Sequence, residues 1–169
     1  MEINPLETVY PRQVILVTSE AEIETMGKKQ DKKNIFTLSW HMPVSFNPAL
    51  YAISVGKQRF SLSLIKKSGV FCVNFMPFEL QDKVLFCGRN SGINKDKFKE
   101  TGLTPKECEK IHCIYLKEAL SYLECEVVQE IESGDHIIVV GKIVKSRVQK
   151  KGKKVFRAEA TDKFTTTVD

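Results

Sequence analysis

The sequence predicts a mainly β protein, an antiparallel barrel carrying short helical insertions, and three observations predict it. Short apolar, β-branched runs recur between turn residues. Helical periodicity is confined to brief stretches. Tyr122–Glu132 (YLECEVVQEIE) alternates apolar and acidic positions, and after Ser133-Gly134-Asp135 an apolar run returns, which is the pattern of a hairpin. At 169 residues the chain is expected to form one domain, 1–169, large enough to bury a core.

The elements follow in order. Pro11–Ser19 reads as a strand closed by polar residues, and Glu20–Lys33, polar and charged, as a turn or loop. Asn34–Trp40 is a strand, and His41–Pro48 holds two prolines that forbid long regularity. Ala49–Val55 is a strand. Arg59–Ser68 carries Phe60, Leu64 and Ile65 near helical spacing, with Gly69 as its stop and Val70–Phe75 as a buried strand beyond. Glu79–Gly88 is a short amphipathic helix, Gly88–Asn94 a loop, and Asp96–Thr101 a helical turn stopped by Gly102. Tyr122–Glu132 should show one wet face. His136–Val148 is apolar enough around Ile137–Val140 to be buried on both faces.

The net charge of +5 is local. Lys145, Arg147, Lys150, Lys151, Lys153, Lys154 and Arg157 stand together without an acid, and the rest of the chain is slightly acidic. This segment, 145–158, reads as a basic β-hairpin with its tip at Lys151-Gly152 and lysines guarding exposed edges. A nucleic-acid patch is the less favoured reading, because no RNA-binding aromatic signature or zinc finger accompanies it. Five cysteines without a Cys-x-x-Cys argue against a disulfide framework and a four-cysteine zinc site. Cys72 and Cys125 read as core, and no metal site is expected. The N-terminus lacks the basic start of a secretory signal and no run is long enough to span a bilayer, so the expectation is a soluble, cytoplasmic protein. There is no Rossmann fingerprint, Walker A loop or nucleophile elbow.

Four features look like parts of a site. In Asn34…Thr37-Leu38-Ser39-Trp40, small hydrogen-bonding side chains lead to the only tryptophan, suited to a planar polar ligand or to an ordinary strand with Trp40 in the core. At Lys57–Ser61 a strand gives way to a helix, and Arg59 with the Ser61 hydroxyl suits a phosphate, unless Ser61 is only the helix N-cap. Gly88–Phe98 is a glycine-containing loop leading to Lys97, which could meet a phosphate or a ring edge, or simply be solvated. His136 opens a buried strand just after a turn, where it could hold a ligand, steer a proton or bond to Asp135.

In this order and spacing, the segments resemble the flavin reductase-like, FMN-binding split-barrel family, flavoredoxin type. The motifs are Pro11–Thr18, Asn34…Trp40…Pro43-Val-Ser45…Pro48, Val73-Asn74, Ser91-Gly92…Asp96-Lys97-Phe98…Gly102-Leu103-Thr104, Glu118-Ala119…Leu123-Glu124-Cys125 and Gly134-Asp135-His136. The resemblance implies a six-stranded antiparallel Greek-key split barrel and a homodimer with FMN near its interface. It places Asn34, Thr37, Leu38, Ser39 and Trp40 along the isoalloxazine and Arg59 and Ser61 on the phosphate. Ser91 and Lys97 would reach the flavin from their loop. His136, the candidate catalytic residue, would stand where nicotinamide binds in the reductases, and Phe164 would cover the site from the tail.

The implied function is an FMN-dependent oxidoreductase passing electrons through flavin. It would act either as an NAD(P)H:flavin reductase serving an oxygenase component or as a flavoredoxin serving a redox protein partner. The alternatives are an FMN-binding module without turnover, and a nucleic-acid- or protein-binding barrel using the basic segment.

Overall fold

The computed structural model describes residues 5–159 and 162–167. A 3-10 turn, Pro5–Val9, leads into β1 (Arg12–Gln13), β2 (Ile15–Thr25), β3 (Lys28–Leu38), β4 (His41–Phe46) and β5 (Ala49–Gly56). Then come α1 (Phe60–Ser68), β6 (Val70–Phe75), α2 (Gln81–Arg89), α3 (Lys97–Thr101), β7 (Pro105–Glu107) and β8 (Ile114–Leu116). The long hairpin of β9 (Ser121–Ser133) and β10 (His136–Val148) precedes β11 (Phe156–Arg157) and β12 (Phe164–Thr165). The principal sheet runs β3-β2-β6-β9-β10-β5-β4, antiparallel throughout. It has one strand more than the expected six. β3 and β4, joined by Ser39-Trp40, stand at opposite ends of that order, so the chain crosses the mouth of the barrel there.

Alternation builds the interior. Ile15, Val17, Tyr51, Ile53, Val55, Phe71, Val73, Cys125, Ile137 and Val139 are all odd-numbered and share one core, closed by Leu62 and Ile65 of α1. The opposite face of β2 and β3, through Leu16 and Ile35, packs with Val84, Cys87, Leu103 and Leu116 into a second core. β10 bends at irregularities beside Gly141 and at Ile143/Lys145. A Cβ at Gly141 would sit 2.7 Å from the Phe71 ring and 2.8 Å from Cys125 Cβ, so only glycine lets the strands close there.

Four expectations are corrected. Glu20–Lys33 is no loop: β2 and β3 extend through it as a ribbon turning at Met26-Gly27. Charge hid the alternation, yet the charges pair across the strands, Glu20 with Lys33 at 3.6 Å and Glu22 with Lys29 at 3.1 Å. The proline segment forms the edge strand β4, where a missing N–H is tolerated and a bulge between Pro43 and Ser45 absorbs the misfit. In β9 the wet face is interrupted: Glu124 is fully buried and accepts the backbone N–H groups of Glu109 (3.0 Å) and Lys110 (2.7 Å). The basic hairpin does not form. Lys145 and Arg147 end β10 against Glu109, and the chain then crosses to β1, hooked by buried Val155, which accepts from Val14 N–H at 2.9 Å. β11 pairs with β1 and β12. An apolar anchor inside the run outweighed the turn signal.

Cys72 and Cys125 are core, as expected. Buried thiols make stability fall at alkaline pH. Burial pushes the Cys87 thiol up to about 11, against Lys97 nearby, and burial also raises Cys72 and Cys125. A folded-state pKa above the unfolded value of 9.0 gives stability that is complete below pH 9 and lost as pH climbs toward 11. For Cys87 alone the loss is about 3 kcal/mol by the end of that window. The urea midpoint should therefore drop between pH 8 and pH 10.5, and less so in Cys87→Ala measured against its own pH 8 value.

Candidate functional site

A cavity of about 440 Å³ opens where the end of β3, the β5–α1 turn, the C-terminus of α2 and the start of β10 converge, a size suited to a ligand of cofactor class. Every sequence-predicted site residue except Phe164 lines it. Asn34, Thr37 and Leu38 come from β3, and Ser39-Trp40 from the linker that follows. Arg59 is the N-cap of α1, and Ser61 lies inside the helix rather than capping it. Ser91 and Lys97 come from the α2–α3 loop and α3. Phe164 packs against the second core and lines an adjoining hollow of about 200 Å³, which shares Thr37, Ser39 and Arg59 with the main cavity.

The polar groups are held before any ligand arrives. Asn34, on a buried strand position, donates from Nδ2 to Ser61 Oγ at 2.7 Å. Gly92 packs directly on it, since a Cβ there would fall 2.0 Å from Asn34 Oδ1. Thr37 donates its hydroxyl to Val84 O, tying β3 to α2. Lys97 is 4% exposed and donates from Nζ to Ile35 O at 2.7 Å and Cys87 O at 2.9 Å. Burial holds its ammonium down at about 8, with Cys87 opposing and Arg59 assisting. The Trp40 and His136 rings lie 4.7 Å apart, tilted by 31°. Trp40 is half-buried at the cavity wall instead of in the core. His136 Nδ1 stands 2.7 Å from Asp135 Oδ1. The carboxylate, held below its usual range by that bond, can only accept, so Nδ1 carries the proton and Nε2 is left for the cavity.

The lining is one-signed. Arg59, Arg89, Lys97 and Arg157 border the cavity, and no aspartate or glutamate does so among the described residues. Arg89 is bound to Asp162 through Nε at 3.0 Å, and Arg157 stands over the Tyr10 ring at 5.5 Å. Arg89 and Asn90 belong to the candidate loop Gly88–Phe98, whereas nothing local in the sequence marks Tyr10 or Arg157 as lining residues. Arg157 was absorbed into the basic run, and Tyr10 reaches the site only because the chain ends pair through β1 and β11.

The arrangement can hold an anion on its arginine and lysine side chains and a flat ring against Trp40 and His136. The family model for the flavin reductase like domain matches residues 7–161. An uncharacterised protein of Archaeoglobus fulgidus is 37% identical over 142 residues, covering 84% of this chain and 75% of its own. A flavin reductase of Pseudomonas putida is 31% identical over 107 residues, covering 63% and 59%. Among solved structures, flavoredoxin from Methanosarcina acetivorans superposes with a TM-score of 0.83 at 25% identity, covering all of this chain and 91% of its own.

Proposed function

The chain belongs to the flavin reductase-like family, and from that premise we propose that it is an FMN-binding oxidoreductase, a flavoredoxin or an NAD(P)H:flavin reductase. One observation carries the reading: among the described residues the cavity lining holds no acid, and it combines Arg59, Arg89, Lys97 and Arg157 with the Trp40–His136 ring pair. FMN has the same polarity, a phosphate on a flat, largely apolar ring. The similarity to a flavoredoxin and to a flavin reductase supports the same class of chemistry.

When bound, FMN supplies the redox chemistry itself. The protein binds and orients. Arg59 offers its guanidinium, and the first turn of α1 offers unpaired N–H groups. Ser61 Oγ accepts from Asn34, which leaves its own proton available for donation to a ligand. Lys97 spends two N–H bonds on carbonyls and keeps a third for the ligand. Thr37, Leu38, Ser39, Ser91 and Trp40 flank the ring, and Phe164 closes the adjoining hollow. His136, oriented by Asp135, presents Nε2 where a nicotinamide donor would approach. The partner is a redox protein or an oxygenase component.

The test is the visible absorption spectrum of freshly purified protein, with the released cofactor identified after denaturation. A flavin spectrum and free FMN are expected. Colourless protein that takes up no added FMN would overturn the reading.

A homodimer completes the proposal. Phe46 is fully exposed on edge strand β4, with Met42 and Val44 beside it. An apolar hollow of about 260 Å³, lined by Leu6, Val9, Met42 and Ile138, shares Trp40 with the flavin cavity. Phe46→Glu should shift the protein to monomer in sedimentation and weaken FMN retention. A monomeric wild type would refute this arrangement.

A further inference from the structure

A second cluster lies away from the flavin cavity. The β2–β3 ribbon places Glu20 opposite Lys33 and Glu22 opposite Asp31, so Glu20 and Asp31 are diagonal neighbours on one face. His112 is carried to that face by the loop between β7 and β8. The loop is seated on β2 by the Thr18 hydroxyl, which donates to Ile114 O, and by the Cys113 thiol, which donates to Thr18 O at 3.5 Å. A tight turn closed by Cys113 N–H on Ile111 O at 2.9 Å has His112 at its bend. One ligand atom from each of Glu20, Asp31 and His112 lies within 4.8 Å of the others.

Glu20 is the unusual member. It is 2% exposed, and its Oε2 is buried without a hydrogen-bond partner. A buried carboxylate in that state costs free energy unless a cation answers it. Lys33 answers weakly, since its Nζ is 3.6 Å from Glu20 Oε1 and only 2.9 Å from Glu107 Oε1. With Glu107 occupying Lys33, Glu20 and Asp31 leave net negative charge around the imidazole.

We propose that Glu20, Asp31 and His112 bind a divalent transition-metal ion of the zinc class. Two carboxylates and one imidazole are a borderline donor set that suits zinc and disfavours calcium or magnesium. Zinc bonds of about 2.0–2.2 Å require donors roughly 3.3–3.6 Å apart, so a small inward movement of Asp31 and His112, both exposed, closes the set. Water takes the remaining position. The ion would satisfy Glu20 Oε2 and tie the charged ribbon to the β7–β8 loop.

The experiment is calorimetric titration of the full chain with zinc chloride, repeated with cobalt(II) followed by its visible absorption. One equivalent should bind, with a cobalt spectrum of low coordination number. His112→Ala and Asp31→Asn should each weaken binding by at least about tenfold. Both side chains are exposed, so circular dichroism and flavin content should not change. Cys108 opens the same loop, its N–H on Cys113 O at 2.9 Å, and is the thiol that would compete for a metal with His112, so Cys108→Ser should leave zinc affinity unaltered. Absence of zinc binding, binding that survives both substitutions, or binding lost with Cys108→Ser would each overturn the site. None of these outcomes depends on whether the cavity holds FMN.

Discussion

Arg59→Ala combined with Ser61→Ala should weaken FMN binding by at least about 100-fold while the protein still folds. Arg59 is solvent-exposed and caps α1 without a side-chain cap bond, so its loss removes charge and little helix stability. A hydrogen bond to a charged group contributes about 1.5–3 kcal/mol, and two lost together give about 3–6 kcal/mol, or roughly two to four decades of affinity. Ser61 is different in kind. Its hydroxyl holds Asn34, so Ser61→Ala also leaves a buried amide unpaired and costs about 1–3 kcal/mol of stability. The single variants separate the two effects. Arg59→Ala should lower affinity with an unchanged melting temperature and a flatter salt dependence, whereas Ser61→Ala should lower both. Affinity within twofold of wild type for the double variant, measured by flavin fluorescence quenching, would remove the phosphate from Arg59 and Ser61.

The residues that were legible in the sequence share a property: their role is local. Asn34 to Trp40 announce a strand edge of small polar groups, Arg59 and Ser61 a strand-to-helix turn, and Asp135-His136 a hairpin end. Each is positioned by its own element, and the structure brings them into one cavity. What escaped depends on tertiary pairing. Tyr10 and Arg157 meet the cavity through pairing of the chain's two ends, a contact that neither segment signals alone. Val155 outweighed the lysines around it because one buried side chain fixes the path of an otherwise solvated run. The ribbon beyond Ser19 alternates on one strand only: Ala21 and Ile23 stand between Glu20, Glu22 and Glu24, whereas Lys28–Lys33 opposite has no apolar residue, so the pairing shows only in the register. Glu124 in β9 shows the converse, where correct alternation gave the wrong environment because the β7–β8 loop covers that face and supplies two N–H donors.

Gly92→Ala should lower both FMN affinity and stability through a single added methyl group. The loop after α2 crosses Asn34 so closely that the new Cβ would lie 2.0 Å from Oδ1 and 2.6 Å from Cγ, well inside contact distance. Asn34 cannot simply yield, because it is buried on β3 and its amide is held by Ser61 at 2.7 Å. Either the amide swings away, breaking that bond and turning a polar group from the cavity, or the loop lifts and takes Asn90, Ser91 and the approach to Lys97 with it. Both distort a wall of the site, so FMN affinity should fall by at least about tenfold, with a stability loss of about 1–3 kcal/mol. The two routes are distinguished by a cycle with Asn34→Ala. If the clash with Asn34 is the cause, Gly92→Ala should cost little further stability once Asn34 is already alanine, giving a coupling of about 1–2 kcal/mol in denaturant unfolding. Additive costs would mean that the loop responds to something other than Asn34, and the packing of Gly92 on that amide would not be what holds this wall of the cavity in place.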